Sequence, residues 1–507
     1  MTLKRLRLAD VDQPLQGVGR TRALEHRAAS ALPAHTLMAR AGLAAARLAV
    51  ALQPQARRVL VHAGPGNNGG DGAEAAHWLK RWGRDVEIRR VAVRDPLPAD
   101  AAWALRRAVE AGVKLSDGDG DGHADAPALA ADLHLDALLG VGVARPLEGP
   151  LARAAQALKP MASRVLALDL PTGLAADTGV ADPAAVRAAW TLSLLTLKPG
   201  LLTAEGRDLA GEVWWDDLEV PGDGAEPLAW LPAMHRLASV PRPHASHKGR
   251  FGDVMVIGGA PGMAGALRLA GQAALAAGAG RVHVVTLEDR SGPARDVGLD
   301  AALMTRSPAE ALDHETLARS TVLAGCGGGE AIEALLPPLL EHAARLVLDA
   351  DALNAVARAP VLRSALAHRG SQAKPTVLTP HPLEAARLLG CSASAVQADR
   401  LGAAQSLAAT LAAVVVLKGS GTVVAAPGHT PWIVPFGNAA LATAGTGDVL
   451  AGWLAGIWSG CPADAASAAL QSVARHGMAA DRYAATGRTG PLTATELIRW
   501  MSAARGR

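Results

Sequence analysis

The sequence predicts an α/β chain folded as two domains, and three observations carry that expectation. At 507 residues the chain exceeds what a single core organises, so two domains of roughly 200–270 residues are expected. Short runs rich in Val, Leu and Ile recur, each followed by a Gly/Pro/Asp turn and an alanine-rich stretch with helical spacing. Unbroken apolar runs of that length suit buried parallel strands, and their alternation with helices suits a sheet covered on both faces. Between about Glu219 and His247 the alternation lapses into a segment carrying Pro221, Pro227, Pro232, Pro241 and Pro243, which reads as a linker. The expected boundaries are residues 1–225, a linker over 226–245, and residues 246–507.

Taken in order, "RTRALEHRAASALPAHTLMARAGLAAARLAVAL" predicts two helices broken at Pro33. The strands of the first domain are expected at "RRVLVHAG" (57–64), "DVEIRRVAV" (85–93), "LHLDALLG" (133–140), "RVLALDLPTG" (164–173) and "WTLSLLTLKPG" (190–200). A fresh series starts at "GDVMVIGG" (252–259). It continues through "GRVHVVTL" (280–287), "STVLAG" (320–325), "RLVLDADALN" (345–354), "PTVLTPHP" (375–382) and "AVVVLKGSGTVVAAP" (413–427). The halves share no motif order, which indicates fusion rather than duplication.

Composition narrows the function classes. Half of the residues are hydrophobic, 19% are charged and the formal net charge is +3, with basic residues dispersed. No basic stripe with interleaved aromatics occurs, so nucleic-acid binding is not expected. Cys326, Cys391 and Cys461 are far apart and support neither a disulfide framework nor a thiolate metal site. The N-terminus lacks the apolar core of a signal peptide, and no charge-free run of eighteen apolar residues occurs. A cytoplasmic enzyme without a membrane span is the expectation.

Two glycine-rich stretches carry the chemistry. In "LVHAGPGNNGGDGAE" (60–74) a predicted loop at 64–72 joins a strand (58–62) to a helix (73–82), the position where open α/β sheets bind ligands. Amides at a helix start favour phosphate, and Asn67 and Asn68 add oxygens for a hard cation; a simple Gly/Asn turn is the other reading. Asp136, Asp169 and Thr172 also end predicted strands, so three polar loops are expected along one sheet edge. Either aspartate alone more often caps a helix. In "GNAALATAGTGDVLAGWLAGIWSG" (437–460) a glycine turn runs into a buried helix whose N-terminus makes an anion hole beside Asp448. A carboxylate there suits a base for a hydroxyl attacking a phosphoryl group. "VVVLKGSGTVV" (414–424) reads as a glycine turn between two strands. Lys418 in it is one of only eight lysines, and His381 lies between two prolines after a strand.

The combination "GNNGGDG", "DALLGVG…RPLEG" and "LDLPTG", with "LMARAG" upstream, resembles the NAD(P)H-hydrate epimerase family over residues 1 to about 220. The resemblance implies a Rossmann-like three-layer α/β/α domain that interconverts the R and S forms of NAD(P)HX, the hydrate at C6 of the nicotinamide ring. It implies that Asn67, Asn68, Gly69, Gly70 and Asp71, with Gly140, Val141, Gly142, Val143, Ala144, Arg145 and Pro146, contact the dinucleotide. It implies a potassium ion held by Asn68, Asp136 and Thr172, where relatives usually carry serine at the last position, and Asp169 as the catalytic acid/base.

From "HKGRFGDVMVIGGAPG" (247–262) to about residue 490, "LVLDADALN", "TPHPLE", "LKGSGT" and "GTGDVLAG" resemble the ADP-dependent NAD(P)H-hydrate dehydratase family, which has a ribokinase-like α/β fold. This implies that Lys418, Gly419, Ser420, Gly421, Thr422 and Gly447 bind the adenine nucleotide. Ala266, Gly327, His381 and Asp448 would meet the substrate. Asp448 would be the base for phosphorylation of the C6 hydroxyl, with magnesium assisting. Leu383, Cys326 and Gly328 depart from the residues usual in that family. The implied partners are NADHX or NADPHX and ADP, in a homo-oligomer. The alternative is a ribokinase-like vitamin-alcohol kinase fused to a non-catalytic Rossmann-like module.

Overall fold

The computed structural model describes residues 3–7, 9–117, 131–141, 146–237, 243–287, 301–460 and 464–503. The chain divides into two units, one of residues 1–8 and 14–229, the other of residues 9–13 and 230–507.

In the first unit the strands are β1 (Lys4–Arg5), then, after β2 (Gln13–Leu15) where the chain passes between units, β3 (Arg58–Ala63), β4 (Asp85–Arg90), β5 (Lys114–Asp117), β6 (Leu133–Ala137), β7 (Val165–Leu168), β8 (Trp190–Leu194) and β9 (Glu212–Asp216). Their order in the sheet is β1-β9-β8-β7-β6-β3-β4-β5, parallel from β5 to β9, with β1 antiparallel at the edge. The chain builds outward from β3 through β4 and β5, then crosses back to β6, so the order reverses between β3 and β6. In doubly wound sheets that reversal opens a crevice at the strands' carboxyl ends.

Both faces of this sheet are buried, which is why its strands read as continuous apolar runs. Val59, Val61, Leu133, Leu135, Leu166 and Leu168 pack with the helices Thr36–Leu52 and Asn67–Arg81. Leu60, Val165 and Ala167 pack on the other side with the helix Gly149–Leu158. The result is three layers.

One boundary differs from the expectation. The helix begins at Asn67, not at residue 73, so the Gly/Asn run forms its first two turns rather than a loop. The glycines answer packing instead of positive φ. A Cβ on Gly64 would lie 1.8 Å from the Leu138 carbonyl oxygen, one on Gly69 2.1 Å from the Gly64 carbonyl oxygen, and one on Gly70 2.7 Å from Ala101 Cα. Propensity reads glycine as a breaker, but close main-chain contact overrides it.

The second unit carries β10 (Ala229–Leu231), β11 (Asp253–Gly258), β12 (Arg281–Thr286), β13 (Met304–Thr305), β14 (Ser320–Ala324), β15 (Arg345–Leu348), β16 (Thr376–Leu378), β17 (Val414–Leu417), β18 (Thr422–Ala425) and β19 (Trp432–Val434). They lie in the order β13-β12-β11-β14-β15-β16-β17-β18-β19-β10. From β13 to β17 the sheet is parallel; β18 and β19 turn back as antiparallel strands. Strand β15 stops at Leu348, and the rest of "DADALN" enters the helix Ala350–Arg358. The segment read as a linker contains β10 and a short helix, Met234–Leu237.

Against the sheet, the helices Ala264–Ala277 and Thr446–Gly460 cross closely. Added Cβ atoms at Gly452 and Gly456 would lie 2.1 Å and 2.4 Å from the carbonyl oxygens of Ala270 and Ala274. Trp453 and Trp458 are fully buried. This packing sets the position of the helix N-terminus at Thr446, and therefore of Asp448.

Candidate active sites

The three polar strand ends of the first unit converge. Asp136, the next-to-last residue of β6, is wholly buried and accepts hydrogen bonds from the Thr172 amide (2.8 Å), the Thr172 hydroxyl (2.7 Å) and the Leu138 amide (3.3 Å). Burial pushes its carboxyl up to about 6 in spite of those bonds, so a cation beside it would relieve the desolvation cost of the charge. Asn68 is buried with both side-chain polar atoms, Oδ1 and Nδ2, lacking a hydrogen-bond partner. An orphaned buried amide costs about 1–3 kcal/mol unless something meets it. The Thr172 hydroxyl also accepts from the Leu139 amide at 3.1 Å.

Asp169 follows β7 in a left-handed conformation (φ 66), a strained geometry for a residue with a side chain. Its Oδ2 accepts from the Val141 amide at 2.8 Å, and its Oδ1 accepts from Lys198 Nζ. Gly140 sits between Asp169 and Asn68: a Cβ there would lie 2.9 Å from Asp169 Oδ2 and 3.3 Å from Asn68 Oδ1. Asn67, Asn68, Asp71, Gly140, Val141 and Asp169 line one cavity of about 490 Å³, together with Glu25, His35 and Asp100. Burial, and then the charges of Asp169 and Glu25, hold the Asp71 carboxyl well above the usual range. Pro146 is described, and is not in that lining; Gly142, Val143, Ala144 and Arg145 lie outside the described residues. Gly69 and Gly70 face a second, smaller cavity.

Sequence reasoning missed Lys198. Its ammonium is fully buried, and besides Asp169 it donates to the Leu194 carbonyl (2.7 Å) and the Ser193 hydroxyl (3.3 Å). The signal was available: the rarity of lysine that singles out Lys418 applies equally to a lysine in "TLKPG".

In the second unit Asp448 is the third residue of the helix Thr446–Gly460, inside its first turn rather than at the capping position. The ligand atoms of Cys326, Asp349 and Asp448 lie within 4.8 Å of one another. Burial, and then repulsion from Asp349, lift the Asp448 carboxyl to about 6, near where a general base works best at neutral pH. The Lys418 ammonium binds Asp349 at 2.8 Å and lies 3.9 Å from Glu384. Burial acts to lower its pKa, but Asp349 and Glu384 more than offset this and hold it above the ordinary lysine value. A Cβ on Gly447 would lie 3.4 Å from that ammonium, so Lys418 sits against the helix N-terminus.

His381 caps the helix Pro382–Leu389. Its Nδ1 accepts from the amides of Leu383 and Glu384, while Glu384 accepts from the His381 amide at 2.8 Å. Burial, then Lys418, lower the histidine's pKa, which keeps the ring neutral for that role. Ala266 and Gly327 adjoin, since a Cβ on Gly327 would lie 3.1 Å from Ala266 Cβ. Gly419, Ser420 and Gly421 form the turn between β17 and β18, with Thr422 opening β18. The buried Arg400 braces that turn by donating to the carbonyls of Leu417 and Lys418. Asp349, Glu384 and Arg400 were not anticipated, although Asp349 ends β15 just as Asp136 ends β6.

The chain is similar to known proteins over both units. A family model described as NAD(P)H-hydrate dehydratase matches residues 254–502, and one described as YjeF-related protein N-terminus matches residues 34–200. The bifunctional NAD(P)H-hydrate repair enzyme Nnr of Escherichia coli K12 is 36% identical over 92% of this chain and 88% of its own length. The enzyme so named from Coxiella burnetii is 35% identical over 92% and 94%. A solved ADP/ATP-dependent NAD(P)H-hydrate dehydratase from Bacillus subtilis, co-crystallised with ATP/Mg²⁺, is 30% identical, covers 53% of this chain and 94% of its own, and has a TM-score of 0.45.

A two-unit α/β chain with a cluster of buried carboxylates in each unit has the layout of an enzyme with two sites. The chain belongs to the bifunctional NAD(P)H-hydrate repair enzyme family. It joins a Rossmann-like epimerase domain to a ribokinase-like dehydratase domain; the kinase-plus-binding-module alternative is not favoured. Among the described residues no helix is long and apolar enough to cross a membrane.

Proposed function

We propose that Asp169 is the acid/base of the epimerase and Asp448 the base of the dehydratase, with ADP as the phosphoryl donor. In the first unit the hydrated nicotinamide lies in the cavity beside Gly140. Asp169 takes the proton of the C6 hydroxyl as the C6–N1 bond opens, its electron pair going to N1, and returns the proton when N1 closes on the other face of the resulting aldehyde, while Lys198, behind it, keeps the carboxylate fixed and its charge balanced. Asn68, Asp136 and Thr172 suit a potassium ion in their chemistry: they offer an orphaned amide oxygen and a buried carboxylate bonded to a hydroxyl, and hard cations favour oxygen ligands. The ion would supply a fixed positive charge beneath the substrate.

In the second unit Asp448 removes the proton of the C6 hydroxyl as that oxygen attacks the terminal phosphoryl group of ADP, leaving AMP. Expulsion of phosphate and loss of a C5 proton then give the dihydronicotinamide. The turn from Lys418 to Thr422 and the amide of Gly447 hold the nucleotide's phosphates, and Ala266, Gly327 and His381 line the substrate side. The described side chains do not make a magnesium cage, because Cys326 is a poor ligand for a hard ion and Lys418 already pairs with Asp349. They suit an ion carried in largely by the nucleotide's phosphates, as magnesium usually is. In the Bacillus subtilis relative the nucleotide is accompanied by Mg²⁺.

The single observation that carries this reading is the cluster at the N-terminus of the helix Thr446–Gly460, where Asp448 lies within 4.8 Å of Asp349 and Asp349 pairs with the Lys418 ammonium. A crystal soaked with ADP and Mg²⁺ tests it. The terminal phosphate is expected within reach of Asp448 and the Gly447 amide; phosphates lodged elsewhere would remove the assignment.

A further inference from the structure

The first unit has a second cavity, of about 200 Å³, on the far side of the Gly64–Gly70 turn from Asp169. It lies between that turn and the carboxyl end of β4, and its charged lining is Arg90, Arg94 and Asp95. Gly66 lines both cavities and is the N-cap of the helix Asn67–Arg81, with no side chain capping it. The amides of the helix's first turn are therefore left for a ligand at the point where the two cavities meet.

This layout has a physical reading. The sheet order reverses between β3 and β6. A dinucleotide laid across such a reversal rests its pyrophosphate on the helix after the central strand and sends its two halves to opposite sides. With the reacting ring beside Asp169, on the β6–β7 side, the adenosine half falls at the end of β4. About 20 residues past the glycine-rich turn, folds of this type place a carboxylate when the ribose 2′-hydroxyl is free, or an arginine nearby when it carries a phosphate. Here that position is Arg90, the last residue of β4, followed by Arg94. The Arg90 Nε is buried without a hydrogen-bond partner, although its Nη2 pairs with Asp117 at 2.6 Å. Among the described residues Arg94 has no ion pair or hydrogen bond. The cavity is smaller than the roughly 300 Å³ of a whole small-ligand pocket, which suits a sugar phosphate rather than a complete nucleoside.

We propose that this cavity binds the 2′-phosphorylated ribose of the substrate, with Arg90 and Arg94 as phosphate ligands, so that the epimerase prefers NADPHX to NADHX. The inference rests on the epimerase reading of the first unit and adds the identity of the preferred dinucleotide. Asp95, on the same lining, would oppose a phosphate placed against it. The phosphate therefore sits toward the two guanidiniums, leaving Asp95 for a ribose hydroxyl.

The test uses the full-length protein without ADP, so that dehydration is silent, and follows conversion of the pure R epimer to S by chromatography. The efficiency kcat/KM is expected to be about tenfold higher for NADPHX, mainly through KM, the scale of one charge-assisted contact. Arg94→Gln, at an exposed residue whose change leaves folding intact, is expected to bring the ratio toward one, and Arg90→Gln to do the same. Adenosine 2′,5′-bisphosphate is expected to inhibit about tenfold better than 5′-AMP, and to lose that advantage in Arg94→Gln. Equal efficiencies in the wild type, or a ratio that survives both substitutions, overturns the proposal. Absence of epimerisation with either substrate would instead overturn the assignment of the first unit.

Discussion

Replacing Lys198 by Met removes a cation from a place that water does not reach. The ammonium is 0% exposed and its partner Asp169, on the cavity wall, is 10% exposed, so the ammonium itself is cut off from solvent in the folded chain. Breaking such a pair by deleting one member costs about 3–5 kcal/mol, because the surviving charge stays buried without compensation. The Leu194 carbonyl and Ser193 hydroxyl would lose a donor as well. For a unit of this size that corresponds to a fall in melting temperature on the order of 10 °C. Differential scanning calorimetry of the full-length protein should show it in one transition, with the second unit's transition unmoved. The double variant Lys198→Met/Asp169→Leu should recover part of the loss, with a coupling of roughly 0.5–3 kcal/mol. Strict additivity, or a loss below about 1 kcal/mol, would refute the idea that this pair is a single electrostatic unit.

Four other outcomes are expected. Asp448→Asn should lower dehydration by about 10²–10⁴-fold while leaving R/S interconversion intact, measured with ADP present and absent. Gly452→Ala forces a Cβ to 2.1 Å from the Ala270 carbonyl oxygen and should destabilise the second unit by about 1–3 kcal/mol in urea denaturation. Exchanging KCl for choline chloride should lower the melting temperature of the wild type but not of Asp136→Asn, because an ion bound only by the folded state stabilises it by mass action. The stacked, buried pair His62 and His134 should make the first unit acid-sensitive. Burial lowers them to about 3 and about 4, so the unfolded chain binds more protons than the folded one below about 6.5, and stability falls as pH falls. Each contributes up to about 1.4 kcal/mol per pH unit. Asp136, raised to about 6, works in the opposite sense, as do Asp71, Glu25 and Asp216, which burial also raises, so the histidines' share is read from their variant and not from the net slope. The variant His62→Leu/His134→Leu should flatten the acid limb of a stability–pH curve.

The strand ends were legible because apolar runs stop where a polar residue must meet the crevice. That rule reaches Asp136, Asp169, Thr172 and His381 without any tertiary information. The helix over Asn67–Arg81 was not fully legible: its first turns carry two asparagines and three glycines, which local propensity reads as a loop. What makes them helical is the contact of Gly69 and Gly70 with Gly64 and Ala101, a fact of packing. The partners of the functional groups were hidden for a related reason. Lys198 and Asp169 are 29 residues apart, and Lys418 and Asp349 are 69 apart, so neither pair has a local signature. Rarity of lysine was the one usable clue; it singled out Lys418, and the same clue applies to Lys198, which was missed. Arg400, beneath the Gly419 turn, had no clue at all, since a buried arginine in an alanine-rich helix looks like an exposed one until the helix is docked.

Two carboxylates, each set at the end of a buried element and each answering for one epimer, are the core of the account. An equal mixture of R- and S-NADHX, supplied with ADP and Mg²⁺ and followed at the dihydronicotinamide absorbance, examines both together. The wild type should return all of it. Asp169→Asn should stop at half on the time scale of enzymatic turnover, and Asp448→Asn should return essentially none. Full recovery by Asp169→Asn at the wild-type rate, or any substantial recovery by Asp448→Asn, would contradict the division of labour between the two sites.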